Sequence, residues 1–518
     1  MLTRNFRACI AVSLVIGVSA AGSLNSAQLP ESGTILPANM TQIGRSAPAP
    51  ENALPPLFND IEERTFRYFW DTANPQNGLV PDRYPTPSFS SIAAVGFALT
   101  AYPIGVERGY VTRDQARERA LRTLRFFASA PQGSAATGTA GYKGFFYHFL
   151  DMKTGLRYEN TELSTVDTAI LLSGMLFCQS YFAGSHAEEV EIRRLVEEIY
   201  GRVDWRWAQA RGPAISYGWT PEHSFINLDW RGYNEAMLVY ILALGSPTHA
   251  VAPVAWEEWG RDYPRFFATM YGQTYLTFTP MFGHQYSHVW IDFRAIADAP
   301  MRQAGYDYFE NSRRATYAQR AYAISNPMRW AAYGENVWGL TASDGAADVE
   351  LEFAGEKRQF RTYSPRGVGK EYTLDDGTIA PTAAIASIAF APEIVIPAIE
   401  EMHRRYGEHI YGKYGFYDAF NPSFNYDVPL RHGRVIKGFG WVDTDYLGID
   451  QGPILAMIEN HRTGLIWRMM RANPHIRRGL TQAGFTGGWL APVDTRRTAQ
   501  DAPAARHAPA TRGVSLVR

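Results

Sequence analysis

The segments that most constrain this chain are the ones that are apolar on nearly every face. "SIAAVGFALTAY", "TVDTAILLSGMLF", "NEAMLVYILAL" and "TAAIASIAFA" offer almost no polar stripe to water, so each reads as a helix surrounded by other protein. Between them run amphipathic stretches such as "RDQARERALRTLRFFA" and "HAEEVEIRRLVEEIYGRV". In the second, Ile192, Leu195, Val196, Ile199 and Val203 form one stripe at helical spacing. The alternation recurs about every 50–70 residues, roughly six times, and ends in "GPILAMIENHRTGLIWRMM". Apolar helices inside a ring of amphipathic ones make an all-α fold, the α/α toroid or barrel. An open solenoid would use shorter and more uniform repeats. "DVELEFAGEKRQFRTY", within Ser343 to Tyr372, alternates with a period of two and is expected to be a short β-hairpin-like insertion over one rim.

With 518 residues, 46% of them hydrophobic, the chain can bury a large core. No Pro/Gly/Ser linker interrupts residues 54–491, which are expected to form one domain. Arg4 and Arg7 precede an apolar run that ends in the small residues Val18-Ser19-Ala20, so residues 1–27 read as a signal peptide. Residues 28–53 read as a flexible lead-in and residues 492–518 as a disordered tail. The expected location is periplasmic or secreted, with no membrane attachment after signal cleavage. Cys178 would then be alone, which excludes an internal disulfide and any multi-cysteine metal site. A net charge of −1 with no basic stripe excludes a nucleic-acid partner. Oligomeric state is not legible.

The chemistry-bearing residues stand before or at the starts of the apolar helices. "YENTELSTVD" carries Glu159, Glu162 and Asp167, and "DWRGYNEAM" carries Asn234 and Glu235. "HVWIDF" carries His288 and Asp292, and "GWVDTDYLGIDQGP" carries Asp443, Asp445, Asp450 and Gln451. If the inner helices run in one direction, these groups meet at one mouth. Aromatic residues accompany them, among them Trp230, Tyr233, Trp290 and Trp441, in a chain with 13 Trp, 29 Tyr and 28 Phe. Carboxylates with exposed rings suit a sugar polymer, and glycosidic hydrolysis needs two carboxyl groups, one protonated and one ionised. Structural readings compete with this one. Ser164 and Asp167 have capping-box spacing, Gly232 and Glu235 share it, and Asp443 and Asp445 suit turns. Helix capping explains Glu162 poorly. His284 and His288 are expected to be structural or ligand-contacting. No metal-binding motif, G-x-S-x-G elbow or phosphate loop is present, so no metal and no cofactor are expected.

Taken together, "ENTELSTVDTAILLSG", "YGWTPEHSF…DWRGYNEAM", "YGFYDAFN" and "YLGIDQGPILAMIENHRTG" resemble the bacterial glycoamylase-like proteins, which include the endo-β-1,2-glucanases of glycoside hydrolase family 144. The likeness runs from about Phe58 to Gly488. It implies an (α/α)6 toroid that cleaves β-1,2-glucan by inversion, with a β-glucan oligo- or polysaccharide as partner. Position by position, it carries over Glu162, Asp167 and Glu235 as the acids, and Asp450 and Gln451 as sugar contacts. The expected reacting pair is Glu235 and Asp167, with Glu162 next, and acid and base unassigned. Trp230, Tyr233, Trp290, Trp441 and His288 are expected to contact sugar. Two other readings stand beside this: a polysaccharide lyase using Arg231, Arg294 and Arg329, and a non-catalytic glycan-binding protein.

Overall fold

The computed structural model describes residues 52–491; the expected signal peptide, all but the end of the lead-in, and the tail lie outside the described residues. Six helices open the fold: α1 (Pro56–Thr72), α2 (Ile92–Glu107), α3 (Arg113–Ser129), α4 (Thr165–Tyr181), α5 (Ala187–Gly201) and α6 (Met237–Gly245). The apolar ones are buried on all sides, α2 from Ile92 to Gly105 and α6 along its whole length. The amphipathic ones bury a single stripe. In α5 that stripe is the expected Ile192, Leu195, Val196 and Ile199, and Val203 is buried just beyond the helix end. Burial therefore follows the hydrophobic pattern, as it must when apolar area is the main driving force.

The buried helices pack closely because they carry glycine where they meet. A Cβ on Gly174 of α4 would stand 2.0 Å from the carbonyl oxygen of Gly96 in α2, and one on Gly452 would enter the Phe97 ring. The contacts also fix direction. Gly96 lies against Ile170 and Leu171, and Leu99 accepts from the Cys178 thiol at 3.1 Å, so α2 and α4 are parallel. Gly448 meets Ala94 and Gly452 meets Phe97, so the helix Gly448–Arg462 runs the same way. Three apolar helices thus start at one end of the molecule.

At that end the chain is stitched by strands of two or three residues, which the all-α expectation omitted. Ser90–Ser91 pairs with Phe149–Leu150 ahead of α2, and Leu163–Ser164 pairs with Gly218–Thr220 ahead of α4. Tyr446–Leu447 pairs with Arg83–Tyr84 ahead of Gly448. Such strands satisfy backbone groups in loops too buried for water to do so. The expected hairpin forms between Val349–Phe353 and Glu356–Phe360, with Val349 opposite Phe360. It covers a separate apolar cluster around Trp330, Phe360, Phe424 and Trp441.

Two segments depart from the expected helices. "TAAIASIAFA" is helical only over Pro381–Ile385, although its residues stay largely buried. "NEAMLVYILAL" becomes helical only at Met237, which leaves Glu235 in the preceding turn, where Gly232 takes φ +73°. Among the described residues no helix is long and apolar enough to cross a membrane.

Candidate active site

Asp167 stands in the first turn of α4 and Glu162 just before the strand that leads into it, at the end of the molecule where the parallel apolar helices start. Ser164 is the N-cap: its hydroxyl accepts from the Asp167 N–H at 3.2 Å and donates to Asp167 Oδ2 at 2.5 Å. Capping and placement of the carboxylate are therefore one arrangement, since the bond that ends the helix also aims the acid. Glu162 lies one residue before the short strand. It accepts from Nδ1 of His148 at 2.8 Å, while Nε2 of the same ring is 3.5 Å from Asp167 Oδ2. His148 was not among the expected site residues. It sits in "FFYHFLD", stacked on Phe149 at 3.8 Å, and the His148 N–H is tied to the Glu162 carbonyl at 2.9 Å.

This geometry sets the charges. Burial alone would push the His148 imidazole down, but the charges of Asp167 and Glu162 outweigh it and raise its pKa to about 9. Burial pushes Glu162 up, yet its bond and charge contact with His148 leave it below the ordinary carboxylate range. Glu235 behaves in the opposite way. It is 8% exposed, its Oε2 has no hydrogen-bond partner, and burial pushes it up to about 7, with its own N–H pulling the other way and the nearby Asp167 adding to the rise. Near neutral pH Glu235 is therefore protonated in a large share of molecules, and nearby Asp167 faces an imidazolium. The capping explanation for Glu235 is removed, because no helix begins at its position.

Asp450 completes the mouth from the first turn of Gly448–Arg462. It is raised well above the usual range by burial and by Asp418. The Tyr286 hydroxyl donates to the Ile449 carbonyl at 3.0 Å and feels the charges of Asp450, Glu235 and Asp167. The half-buried Tyr363 is likewise influenced by Asp450. Residues from seven separate parts of the chain are thereby brought into one electrostatic neighbourhood.

A family model described as "Putative glucoamylase" matches residues 227–474, which include Glu235 and Asp450. A crystal structure of a protein from Bacteroides uniformis with the same description is 32% identical, covers 85% of this chain and 100% of its own, and superposes with a TM-score of 0.71. The chain belongs to the glycoamylase-like family. Within and around that family, an exo-β-1,2-glucooligosaccharide sophorohydrolase (non-reducing end) of Parabacteroides distasonis is 28% identical over 456 residues, or 82% of this chain. The chain spans 57% of that relative's length. An endo-β-1,2-glucanase from Chitinophaga pinensis, solved with sophorotriose and glucose, is 28% identical over 84% of this chain and 99% of its own, with a TM-score of 0.70.

The aromatic sugar contacts expected in this glycoamylase-like chain need correction. Trp290 and Trp441 are 0% exposed. Trp290 stacks on Phe97 and donates to Thr100, and Trp441 donates to the His432 carbonyl, so both rings are core. His288 is enclosed by Phe293, Phe309 and Phe390, where burial pushes it down to about 3 and keeps it neutral. Tyr233 lies flat against Tyr308, and Trp230 is covered by Tyr217 at 3.6 Å while its N–H donates to Thr165. Gln451 donates to the Phe416 carbonyl at 3.0 Å and anchors a loop. Large rings in this sequence were legible as rings but not as to which face is wet. Among the partly open rings of this region are Phe89, Tyr158, Tyr217 and Tyr363, the first two packed on or near Phe149. Asp292 follows the C-terminal end of its short helix, where Arg294 and Arg471 neutralise it.

The three arginines that a lyase would need are scattered and engaged. Arg231 pairs with Glu258, Arg294 with Asp292 at 2.7 Å, and Arg329 reaches Glu356 at 4.0 Å.

Proposed function

We propose that this chain is a glycoside hydrolase that cleaves β-1,2-linked glucan on an (α/α)6 toroid, with Glu235 as general acid and Asp167 as general base of an inverting displacement. The observation that carries the reading is the contrast between the two carboxyl groups. Glu235 is buried, without a hydrogen-bond partner and pushed up to about 7, while Asp167 is held by a hydroxyl and an imidazolium. Glycosidases divide the work between two acids set in different surroundings. The protonated group delivers its proton to the departing glycosidic oxygen, and the ionised one takes a proton from the attacking water. His148 is a positioning residue in this scheme, orienting Asp167 and Glu162 and keeping Glu162 charged.

The linkage is supported by the family's relatives in Parabacteroides and Chitinophaga, whose names specify β-1,2-glucan or its oligosaccharides. The toroid is supported by parallel apolar helices that start at one mouth. Residues 54–491 form the hydrolase domain in this reading, supported by one buried apolar cluster that extends from Phe58 to Phe485. Export to the periplasm or medium is supported by the basic-then-apolar start of the sequence, and fractionation of the producing cell tests it.

The function is tested by incubating the purified protein with linear β-1,2-glucan and with β-1,3- and β-1,4-glucans. Reducing ends are expected from the first alone. Their absence, or an unsaturated product absorbing in the ultraviolet, would refute hydrolysis. Proton NMR of the first products is expected to show the α-anomer, and a β-anomer would exclude inversion.

A further inference from the structure

Three loops bring Asp344, Asp418 and Asp443 together, each offering one carboxylate oxygen within 4.8 Å of the others. None is more than 2% exposed. One oxygen of each is already held. Asp344 Oδ2 accepts from Arg83 at 2.7 Å, and Asp418 Oδ2 from the Asp344 N–H at 2.7 Å. Asp443 Oδ1 accepts from the N–H groups of Thr444 and Asp445 at 2.6 and 3.2 Å. The second oxygens of two of them, Asp344 Oδ1 and Asp443 Oδ2, are buried with no hydrogen-bond partner. A fourth buried group lies beside them. Asp450, from a different element, is hydrogen-bonded through its carboxyl to Asp418 and feels the charges of both Asp418 and Asp344.

The local cations do not balance this charge. Arg83 serves Asp344 at 2.7 Å, Asp445 at 3.5 Å and Asp82 at 3.6 Å. Arg366 is taken by Asp376, at 2.7 and 2.8 Å, and its remaining donors go to the carbonyls of Ser343, Arg361 and Thr362. His432, 3.9 Å from Asp445, is pushed down by burial. Buried carboxylates persist when they are paired, protonated or bound to a metal. Anchoring one oxygen and leaving the other free is how hydrogen-bonding partners orient a metal's ligands.

We infer that Asp344, Asp418 and Asp443 bind a hard divalent cation, Ca²⁺, with Asp450 at its edge. All the donors are oxygen, which suits calcium rather than zinc or copper. Oxygens on opposite sides of Ca²⁺ stand about 4.6–5.2 Å apart, so a set contained within 4.8 Å can close on one ion. The cation would tie together the loops after Ala342–Ser343, Gly415–Phe416 and Gly440–Val442, and so hold the approach to the helix that carries Asp450. The expectation of no metal rested on the lack of a contiguous motif, and these ligands are too far apart in sequence to make one. Protons are the competing neutraliser, since burial and the charge of Asp344 push Asp418 up to about 7.

The test uses the full chain stripped with EDTA and dialysed against CaCl₂, followed by elemental analysis and thermal unfolding. One calcium per chain is expected, with Tm raised by about 3 °C once Ca²⁺ exceeds its Kd a hundredfold. Asp418→Asn and Asp443→Asn are each expected to abolish both effects. If these variants do not fold, hydrogen exchange on the wild type decides. Calcium should slow the amides near 344, 418 and 443, and slowing elsewhere alone would overturn the site. A chain that retains no calcium and unfolds at the same temperature in EDTA and CaCl₂ refutes the proposal, as does an Asp443→Asn variant that still binds one ion.

Discussion

At the residue scale the account turns on three side chains whose roles follow from their surroundings. Glu235→Gln removes the proton donor while keeping shape, and should lower kcat on β-1,2-glucan by about 10²–10⁴-fold. Its Tm should hold, because one buried polar group replaces another of nearly the same shape. The wild-type kcat/KM should fall as pH rises through about 7, since the acid must be protonated. A pH profile without that alkaline limb would contradict the assignment. His148 gives a prediction of the opposite kind. Its folded pKa of about 9 lies above the unfolded value, so its contribution to stability is full at low pH and is lost as pH rises through about 9. Thermal unfolding of wild type should therefore weaken between pH 7 and 9.5 more than that of His148→Gln. The same variant should lower kcat/KM and move the acid side of the profile, whereas a merely structural histidine would leave the profile's shape alone. Glu162, Asp167 and Glu235 stood out in the sequence as candidates because polar groups interrupt apolar runs only at a cost. His148 was not, because a histidine between aromatics reads as core until its two acid neighbours are seen in space.

At the element scale the decisive feature is the contact between α2 and α4. Gly174→Ala would place a methyl against the Gly96 carbonyl, where backbone rather than a flexible side chain must yield. A destabilisation of about 1–3 kcal/mol is expected from such overpacking, measured by urea unfolding. Loss of less than about 0.5 kcal/mol would show that the two helices have room to separate. Hydrophobic periodicity foretold these helices because an all-round apolar surface has one stable outcome, complete burial. It did not foretell the short strands ahead of α2, α4 and Gly448, since two residues carry no measurable period. Nor could it tell that Trp290 and Trp441 turn inward, because burial of a ring depends on which neighbours the other elements supply.

At the scale of the whole molecule, groups distant in sequence share one field. His148, Asp167, Glu235 and Asp450 come from four loops or helix starts, and parallel helices are what deliver them to the same end. Asp167, Glu235 and Asp450 stood out in the sequence and His148 did not, and only the fold could bring the four together. The most direct measurement of that convergence is kcat on linear β-1,2-glucan for wild type, Glu235→Gln and Asp167→Asn, each shown to be folded by circular dichroism. The account predicts that both substitutions lower turnover by at least about 100-fold while the folded spectra coincide. Wild-type rates in either variant would contradict it.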